Sequence, residues 1–309
     1  MQTTTENVQQ RFAEALESFV ARVKQDPYVI AALLFGSLAY DQVWEKSDID
    51  IILVGKDERK PERSYALVEN GINIHIIMLS RSKFKQALEG SLQSSFFHSS
   101  FSKSTLLFSR DESLREYYDN VKRVGARDRE MQLLRTSGGT IYSLAKAEKW
   151  FYVKRDLEYS FLWILYTVDS LAKIEVLLHS EVTGREVIQQ ALQINPDLFH
   201  ALYTDLIHGP KTAQAIQEAL DRINGYLDEK AMLLFRPILD YLAESGGARS
   251  ATEIDEYFKK RAQTETLSFV CEWLADKDII RKVSAPLFLT EKSRVAVEEA
   301  AYYYDGGER

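Results

Sequence analysis

Apolar and polar positions in the first third of the chain follow the period of a helix and then that of strands. Between Glu6 and Lys24 the apolar residues recur at intervals of three and four, the spacing of an amphipathic helix. Runs of β-branched and apolar residues that follow, the first closed by Gly36-Ser37, are typical of buried strands. The predicted elements are a helix at 6–24, strands at 28–35, 49–54 and 72–79, and helices at 82–89 and 112–121. We therefore predict one domain of mixed helices and strands.

From Arg127 to about Asp228 the strand pattern disappears and long helical periodicity replaces it. The most apolar stretch, Phe161 to Leu178, carries three ionisable residues, which would be costly in a bilayer. We therefore predict a buried helix here rather than a membrane span, within a helical bundle.

The last 80 residues change pattern again. Ser250 and Glu253 have the spacing of a capping box, which predicts the start of a helix. The predicted elements are a helix through 233–242, helices at 250–261 and 264–275, a hairpin at 279–290 around Pro286, and a last helix at 291–303. Three helices followed by a hairpin are the order of a winged helix.

Length and composition fit this division. A chain of 309 residues is long enough for two or three domains, and 45% hydrophobic with 28% charged residues is typical of a globular protein. We predict an α+β fold with a mixed-sheet domain at 1–126, a helical bundle at 127–229 and a winged-helix-like domain at 230–309. The single Cys271 excludes an intramolecular disulfide, and the amino terminus has no secretory pattern. We expect a cytoplasmic protein without a membrane partner.

One motif carries candidate chemistry: Gly36-Ser37, ten residues, then Asp48-x-Asp50, with a predicted strand on each side. A glycine lets the backbone turn tightly beside a phosphate, and the serine offers an N–H and a hydroxyl to the same oxygens. Residues two apart in a strand share a face, so the two aspartates point together. Carboxylate oxygens suit Mg²⁺, which takes one or two of them plus substrate phosphates.

The segment 28–80 resembles the signature of the DNA polymerase β superfamily of nucleotidyltransferases, especially small bacterial members and antibiotic adenylyltransferases. The resemblance implies transfer of a nucleoside monophosphate from an Mg²⁺-bound nucleoside triphosphate to a hydroxyl, with release of pyrophosphate. It assigns Gly36 and Ser37 to the triphosphate and Asp48 and Asp50 to the metal. We add Ser47, directly before the first aspartate, to the nucleotide-binding residues.

The sequence departs from the family at the third carboxylate, which catalytic members usually place on the next strand. The matching positions here are Asn73 and His75. An imidazole with an ordinary pKa near 6.5 suits a general base, so His75 is the candidate base. Three acids remain as alternative replacements: Glu69, Glu148 and Asp169.

The helical segment is the expected place for the second substrate, since a helical domain supplies acceptor contacts in similar adenylyltransferases. Its candidate residues are Lys146, Lys149, Lys173, Trp150, Tyr152, Tyr159, Trp163 and Tyr166. Aromatic residues at helical spacing usually build a core, and we expect these to do so.

Charge argues against nucleic acid as the main partner. The formal net charge is −7, and residues 230–309 hold 12 Lys and Arg against 14 Asp and Glu. We therefore expect the C-terminal domain to make a protein contact, such as a homodimer, rather than to bind DNA.

Two functions follow as hypotheses. The first is an Mg²⁺-dependent nucleotidyltransferase, with ATP as the expected donor and a small molecule or macromolecule as the acceptor. The alternative is a catalytically degenerate nucleotide sensor that acts through its winged helix on DNA or a partner protein. The presence of both metal aspartates favours the enzyme.

Overall fold

The computed structural model of the protein describes residues 2–40, 43–57, 63–91, 104–121, 126–181, 183–184, 186–262, 267–290 and 292–306. The chain divides into two compact units, 1–124 and 125–309. The predicted boundary between residues 126 and 127 lies close to this division, and the predicted boundary between 229 and 230 lies inside the second unit. The assignment of three separate domains stays a prediction.

The first unit contains a five-stranded mixed sheet. Its strands are β1 (Val29–Phe35), β2 (Ile49–Gly55), β3 (Arg63–Glu69), β4 (Ile72–Ser80) and β5 (Thr105–Ser109). The order is β3-β4-β2-β1-β5, with β2 and β4 parallel and all other neighbours antiparallel. The mixed sheet and the pairing of the first two strands are confirmed.

Two strands, β3 and β5, were not predicted from the sequence. Six of the seven residues of β3 are exposed, so the strand lacks the apolar face that marks a half-buried strand in a sequence. The strand exists because every one of its residues pairs with β4. Backbone pairing, rather than side-chain burial, therefore defines this edge of the sheet.

Helices cover both faces of the sheet. They are α1 (Gln2–Val23), α2 (Arg81–Ser91) and α3 (Glu112–Val121). Phe12, Ala15 and Phe19 of α1 pack against one face, beside alternate residues of β2 and β4. Phe84 of α2 and Leu114 of α3 pack against the other face. The amphipathic patterns read from the sequence correspond to these two helix–sheet interfaces.

The second unit is largely helical. Its helices are α4 (Ala126–Glu148), α5 (Leu157–Leu178), α6 (Val187–Ile194), α7 (Pro196–Phe199), α8 (Leu206–His208), α9 (Ala213–Leu234), α10 (Arg236–Glu244), α11 (Ala251–Ala262) and α12 (Ser268–Asp276), with π-helical turns at Lys149–Val153 and His200–Asp205. The apolar run of the sequence forms α5, and ten of the 22 residues of this helix are buried. Of the helices described, none has the length and apolar character needed to cross a bilayer.

In the C-terminal segment the predicted capping box is confirmed, and the prediction of a last helix is wrong. Ser250 Oγ accepts from Glu253 N at 3.2 Å, and the carboxylate of Glu253 accepts from Ser250 N at 2.8 Å. Residues 297–303, predicted as helix, form a strand instead. The segment contains β6 (Arg249–Ser250), β7 (Arg281–Leu287) and β8 (Val297–Tyr303), in the order β6-β8-β7.

Burial explains this correction. Ala301 and Tyr302 of β8 are fully buried, and the Tyr302 hydroxyl donates to Glu272 at 2.7 Å. Tertiary packing therefore overrides the helical preference of the Glu-Glu-Ala-Ala sequence. Pro286 lies within β7, where it pairs with Glu298, rather than in a turn of the hairpin. The winged-helix assignment stays a prediction.

A buried carboxylate links two helices of the second unit and the residue between α6 and α7. Glu175 of α5 is only 5% exposed. It accepts a hydrogen bond from the hydroxyl of Tyr226 on α9 and another from Asn195 Nδ2 at 3.4 Å. Burial and the neighbouring Glu175 raise the pKa of Tyr226 above its ordinary value, so the hydroxyl keeps its proton and remains the donor.

We expect Tyr226→Phe to lower the free energy of unfolding of the second unit by about 1–3 kcal/mol, because the buried carboxylate loses its hydroxyl donor. Urea unfolding followed by circular dichroism measures this change. Tyr166→Phe is the matched control, since Tyr166 is 55% exposed in the same unit. Equal stability of the two variants would contradict the assigned role of Glu175.

Candidate functional site

The predicted phosphate-binding bend lies at the end of β1. Gly36 has a φ of +78°, a left-handed conformation that a residue with a side chain rarely adopts. A Cβ atom at this position would overlap Asp50 Oδ2 and lie 3.1 Å from Asp50 Cγ. Glycine is therefore required both by the turn and by the close approach of this backbone to Asp50.

The two aspartates lie at the start of β2 on the face opposite α1. Ile49 and Ile51, which alternate with them, are fully buried against α1. Asp50 pairs with Phe35 of β1 on one side and with His75 of β4 on the other. The side chains of Asp48 and Asp50 are 34% and 31% exposed, so both reach solvent from a largely buried strand.

The imidazole of His75 lies close to both aspartates. Its Nδ1 lies 3.7 Å from Asp48 Oδ2 and 3.9 Å from Asp50 Oδ1. The parallel register of β2 and β4 produces this proximity, because it places His75 directly beside Asp50. The structure thus brings together Gly36, Asp48, Asp50 and His75, all of which the sequence had singled out.

The donor set suits a hard divalent cation. Two carboxylates on one face offer oxygens to Mg²⁺, which completes its shell with phosphates and water in many nucleotide sites. Within the described part of the chain, no three His, Cys, Asp or Glu side chains are arranged to hold a metal ion by themselves. The geometry therefore fits a cation shared with a bound triphosphate rather than an all-protein cage.

The two serines take different positions. Ser37 begins a short 3-10 helix, Ser37–Tyr40, directly after the glycine. Ser47 closes the turn before β2: its hydroxyl accepts from Trp44 N at 3.1 Å, and its own N–H donates to Trp44 O at 2.9 Å. This turn sets the position of Asp48. Nucleotide contact by either serine stays a prediction.

Comparisons with known proteins identify the fold that carries these residues. Residues 17–113 match the family model described as "Polymerase beta, Nucleotidyltransferase". Residues 17–113 form a polymerase β-type nucleotidyltransferase domain. No curated protein matches the sequence.

A solved structure shares the fold beyond this domain. The nucleotidyltransferase-like protein from Exiguobacterium sibiricum 255-15 is 15% identical, with a TM-score of 0.65. The alignment covers 94% of this chain and 99% of that one. The likeness therefore extends from the nucleotidyltransferase domain across the helical unit.

Glu69, the first alternative acid, lies on the wrong face of the nucleotidyltransferase domain. It pairs with Ile72, and its side chain turns towards α1, where it is buried. It accepts from Ser18 Oγ at 2.6 Å and forms an ion pair with Arg22. Because the sheet separates it from Asp50, Glu69 does not replace the missing carboxylate.

The other two alternative acids have partners inside the second unit. Glu148 accepts from Asn224 Nδ2 at 2.9 Å, and Asp169 forms an ion pair with Lys173 at 2.6 Å. These contacts give both acids a structural role in the helical unit. A catalytic role for either one stays a prediction.

The aromatic residues of the helical unit do not simply build a core. Tyr152, Tyr159 and Tyr166 are 46%, 47% and 55% exposed, so the prediction of core packing is wrong for them. Trp150 packs against Tyr159 with ring centroids 4.4 Å apart, and Lys146 lies over the Tyr142 ring at 5.0 Å. The helical spacing predicted that these aromatic residues lie close together, but it did not predict whether another element buries them.

Proposed function

We propose that this protein is an Mg²⁺-dependent nucleotidyltransferase that transfers a nucleoside monophosphate, expected to be AMP from ATP, to a hydroxyl group. The observation that carries the proposal is the approach of the Gly36 backbone to Asp50, beside Asp48 and His75. A left-handed glycine bend against two carboxylates is a surface to which a metal-bound polyphosphate is complementary. A cytoplasmic location is part of the same proposal.

The reaction is a single in-line displacement. The acceptor oxygen forms a bond to the α-phosphorus, the bond from that phosphorus to the bridging oxygen breaks, and pyrophosphate leaves with the bond electrons. The acceptor proton passes to a base, for which His75 is the candidate. No covalent intermediate with the protein is required, so its residues act by positioning and charge.

Asp48 and Asp50 are the residues that would hold Mg²⁺. When bound, the ion supplies charge neutralisation of the phosphates and orients the entering and leaving oxygens. The Gly36 backbone approaches Asp50, and Ser37 follows it directly at the start of a 3-10 helix, so both are close enough to this position to offer backbone N–H groups to a phosphate. These residues bind and orient the triphosphate.

The proposal predicts saturable calorimetric binding of Mg²⁺-ATP, and pyrophosphate release with at least one hydroxyl acceptor from a panel of sugars, aminoglycosides and proteins. Binding that disappears when EDTA removes the metal is the expected companion result. If calorimetry detects no nucleoside triphosphate binding with or without Mg²⁺, the proposed function is wrong.

We expect His75→Asn to lower the turnover number by roughly 10²–10⁴-fold, the usual contribution of a general base, with little change in the Kd for Mg²⁺-ATP. Steady-state pyrophosphate release and calorimetry separate the two quantities. Asn73→Ala is the matched control, since Asn73 is exposed two residues earlier on β4. An unchanged turnover number in His75→Asn would remove His75 from the mechanism.

A second candidate function rests on the missing third carboxylate. On β4 the residue beside Asp50 is His75 rather than an acid, and the nearby acid Glu69 faces α1 instead. A nucleotide-sensing regulator would bind Mg²⁺-ATP tightly without forming a nucleotidylated product. Its output would pass through the C-terminal segment to a partner protein, a second copy or DNA. Detection of a nucleotidylated acceptor by mass spectrometry would exclude this alternative.

A further inference from the structure

A cavity of about 890 Å³ lies in the first unit, on the face of the sheet that carries α1. Phe19 and Val23 of α1 form one wall, and Leu53, Ile76 and Met78 of the central strands form the floor. The volume lies within the roughly 300–1,000 Å³ of pockets that enclose small ligands. The nucleotidyltransferase chemistry described above does not use this cavity.

The sheet separates the cavity from the aspartates. Leu53 and Ile76 belong to the same buried layer as Ile49 and Ile51, which point away from Asp50. The cavity also lies at the other end of β2, because Gly55 lines it while Asp48 precedes the strand. It is therefore a second position on the domain, distinct from the proposed triphosphate site.

Two exposed tyrosines and one lysine form the mouth of the cavity. Tyr28 and Tyr65 line it and are 57% and 45% exposed. Lys56 lies at the same mouth, with its Nζ 5.4 Å from the centroid of the Tyr28 ring. Lys56 makes no ion pair with a carboxylate in the ranges that the structure describes, so its charge is available to a ligand.

The other charged residues of the cavity already have partners. Arg22 forms an ion pair with Glu69. Asp26 accepts a hydrogen bond from Tyr28 N at 2.9 Å. Lys56 is therefore the group at the mouth that an incoming anion would meet without breaking an ion pair, since its described contact is with the neutral Tyr28 ring. An apolar body would cover Leu53 and Ile76.

We propose that this cavity binds a small amphipathic anion: an aliphatic or aromatic body against the apolar floor, and one carboxylate or sulfonate paired with Lys56. Burial of the apolar body supplies most of the affinity. The charge of Lys56 sets the orientation and the preference for an anion. The proposal does not depend on nucleotidyl transfer, because none of its residues belongs to the triphosphate site.

The test uses two probes with the full-length chain. Anilinonaphthalene sulfonate is an aromatic anion whose fluorescence rises on transfer from water to an apolar pocket. We expect saturable binding of one probe per chain, and displacement by decanoate. Decyltrimethylammonium has an alkyl tail of nearly the same length with a positive charge, and we expect it to displace the probe at least about 10-fold less effectively.

Two variants test the residues. Lys56→Gln should weaken decanoate binding by about 10-fold, the effect of losing one charge-assisted contact. Leu67→Trp places a larger side chain at the lining residue Leu67 and should abolish saturable binding. Lys146→Gln is the matched control for charge, since Lys146 also lies over a tyrosine ring. Circular dichroism checks that each variant is folded.

Asp50→Asn distinguishes this proposal from the proposed function. The variant should lose pyrophosphate release and should bind decanoate as tightly as the wild type. The proposal is overturned if the wild-type protein shows no saturable binding, or if Lys56→Gln binds decanoate as tightly as the wild type. Equal displacement by the decyl cation and decanoate would overturn it as well. Because Lys56 is an exposed surface residue, that variant remains informative even if Leu67→Trp does not fold.

Discussion

Replacing either Asp48 or Asp50 by asparagine should lower pyrophosphate release by on the order of 100-fold or more. The amide has nearly the same shape as the carboxylate but carries no charge, so it cannot balance a divalent cation held against a triphosphate. Both side chains lie near His75 at the start of β2 and are about one-third exposed, at 34% and 31%. Neither substitution removes buried apolar surface, and the fold should persist.

The measurement combines turnover with binding. Pyrophosphate release is followed with the acceptor that gives turnover in the wild type, and calorimetry reports the Kd for Mg²⁺-ATP. Asp119→Asn is the matched control, since Asp119 is an exposed aspartate of the same unit on α3. Wild-type turnover in both Asp48→Asn and Asp50→Asn would show that the metal site has been placed wrongly.

The second large effect is expected at Gly36. In Gly36→Ala the new methyl group overlaps Asp50 Oδ2 and lies 3.1 Å and 3.2 Å from Cγ and Cβ of the same side chain. The carboxylate must move by on the order of 1 Å, and a displacement of that size costs about 100-fold in rate. We therefore expect turnover to fall about 100-fold while the protein stays folded.

Gly71 provides a control that shares the backbone strain without the clash. Its φ is +76°, close to the +78° of Gly36, and a Cβ atom there would meet nothing within 4 Å. We expect Gly71→Ala to lose about 1–2 kcal/mol of stability from the left-handed conformation while keeping its turnover. Thermal unfolding and pyrophosphate release measure the two effects. Equal turnover losses in the two variants would contradict the assigned contact.

The nucleotidyltransferase domain was largely predictable from local patterns. The period of α1, the buried runs of β1 and β2 and the spacing from Gly36 to Asp50 all depend on residues close together in the chain. Such patterns predict an element well when burial on one face selects its residues. β3 lacked this signal, since its residues from Arg63 to Val68 are exposed.

The C-terminal segment shows the opposite case. The local preference of residues 297–303 favours a helix, and the structure forms β8 because pairing with β7 and burial of Tyr302 outweigh that preference. In the helical unit, spacing placed Tyr159 and Tyr166 together, but their exposure depends on which neighbouring element covers them. Local sequence does not contain that information.

The sequence by itself determined the bend at Gly36, the shared face of Asp48 and Asp50 and the absence of an acid at position 75, because each follows from residue type and the two-residue period of a strand. The tertiary structure decided the rest of the site. The parallel register of β2 and β4 places His75 beside both aspartates. Glu69 is buried on the other face of the sheet, where it pairs with Ser18 and Arg22. Strand register and face are properties of pairing between distant segments, so they appear only when the sheet is formed.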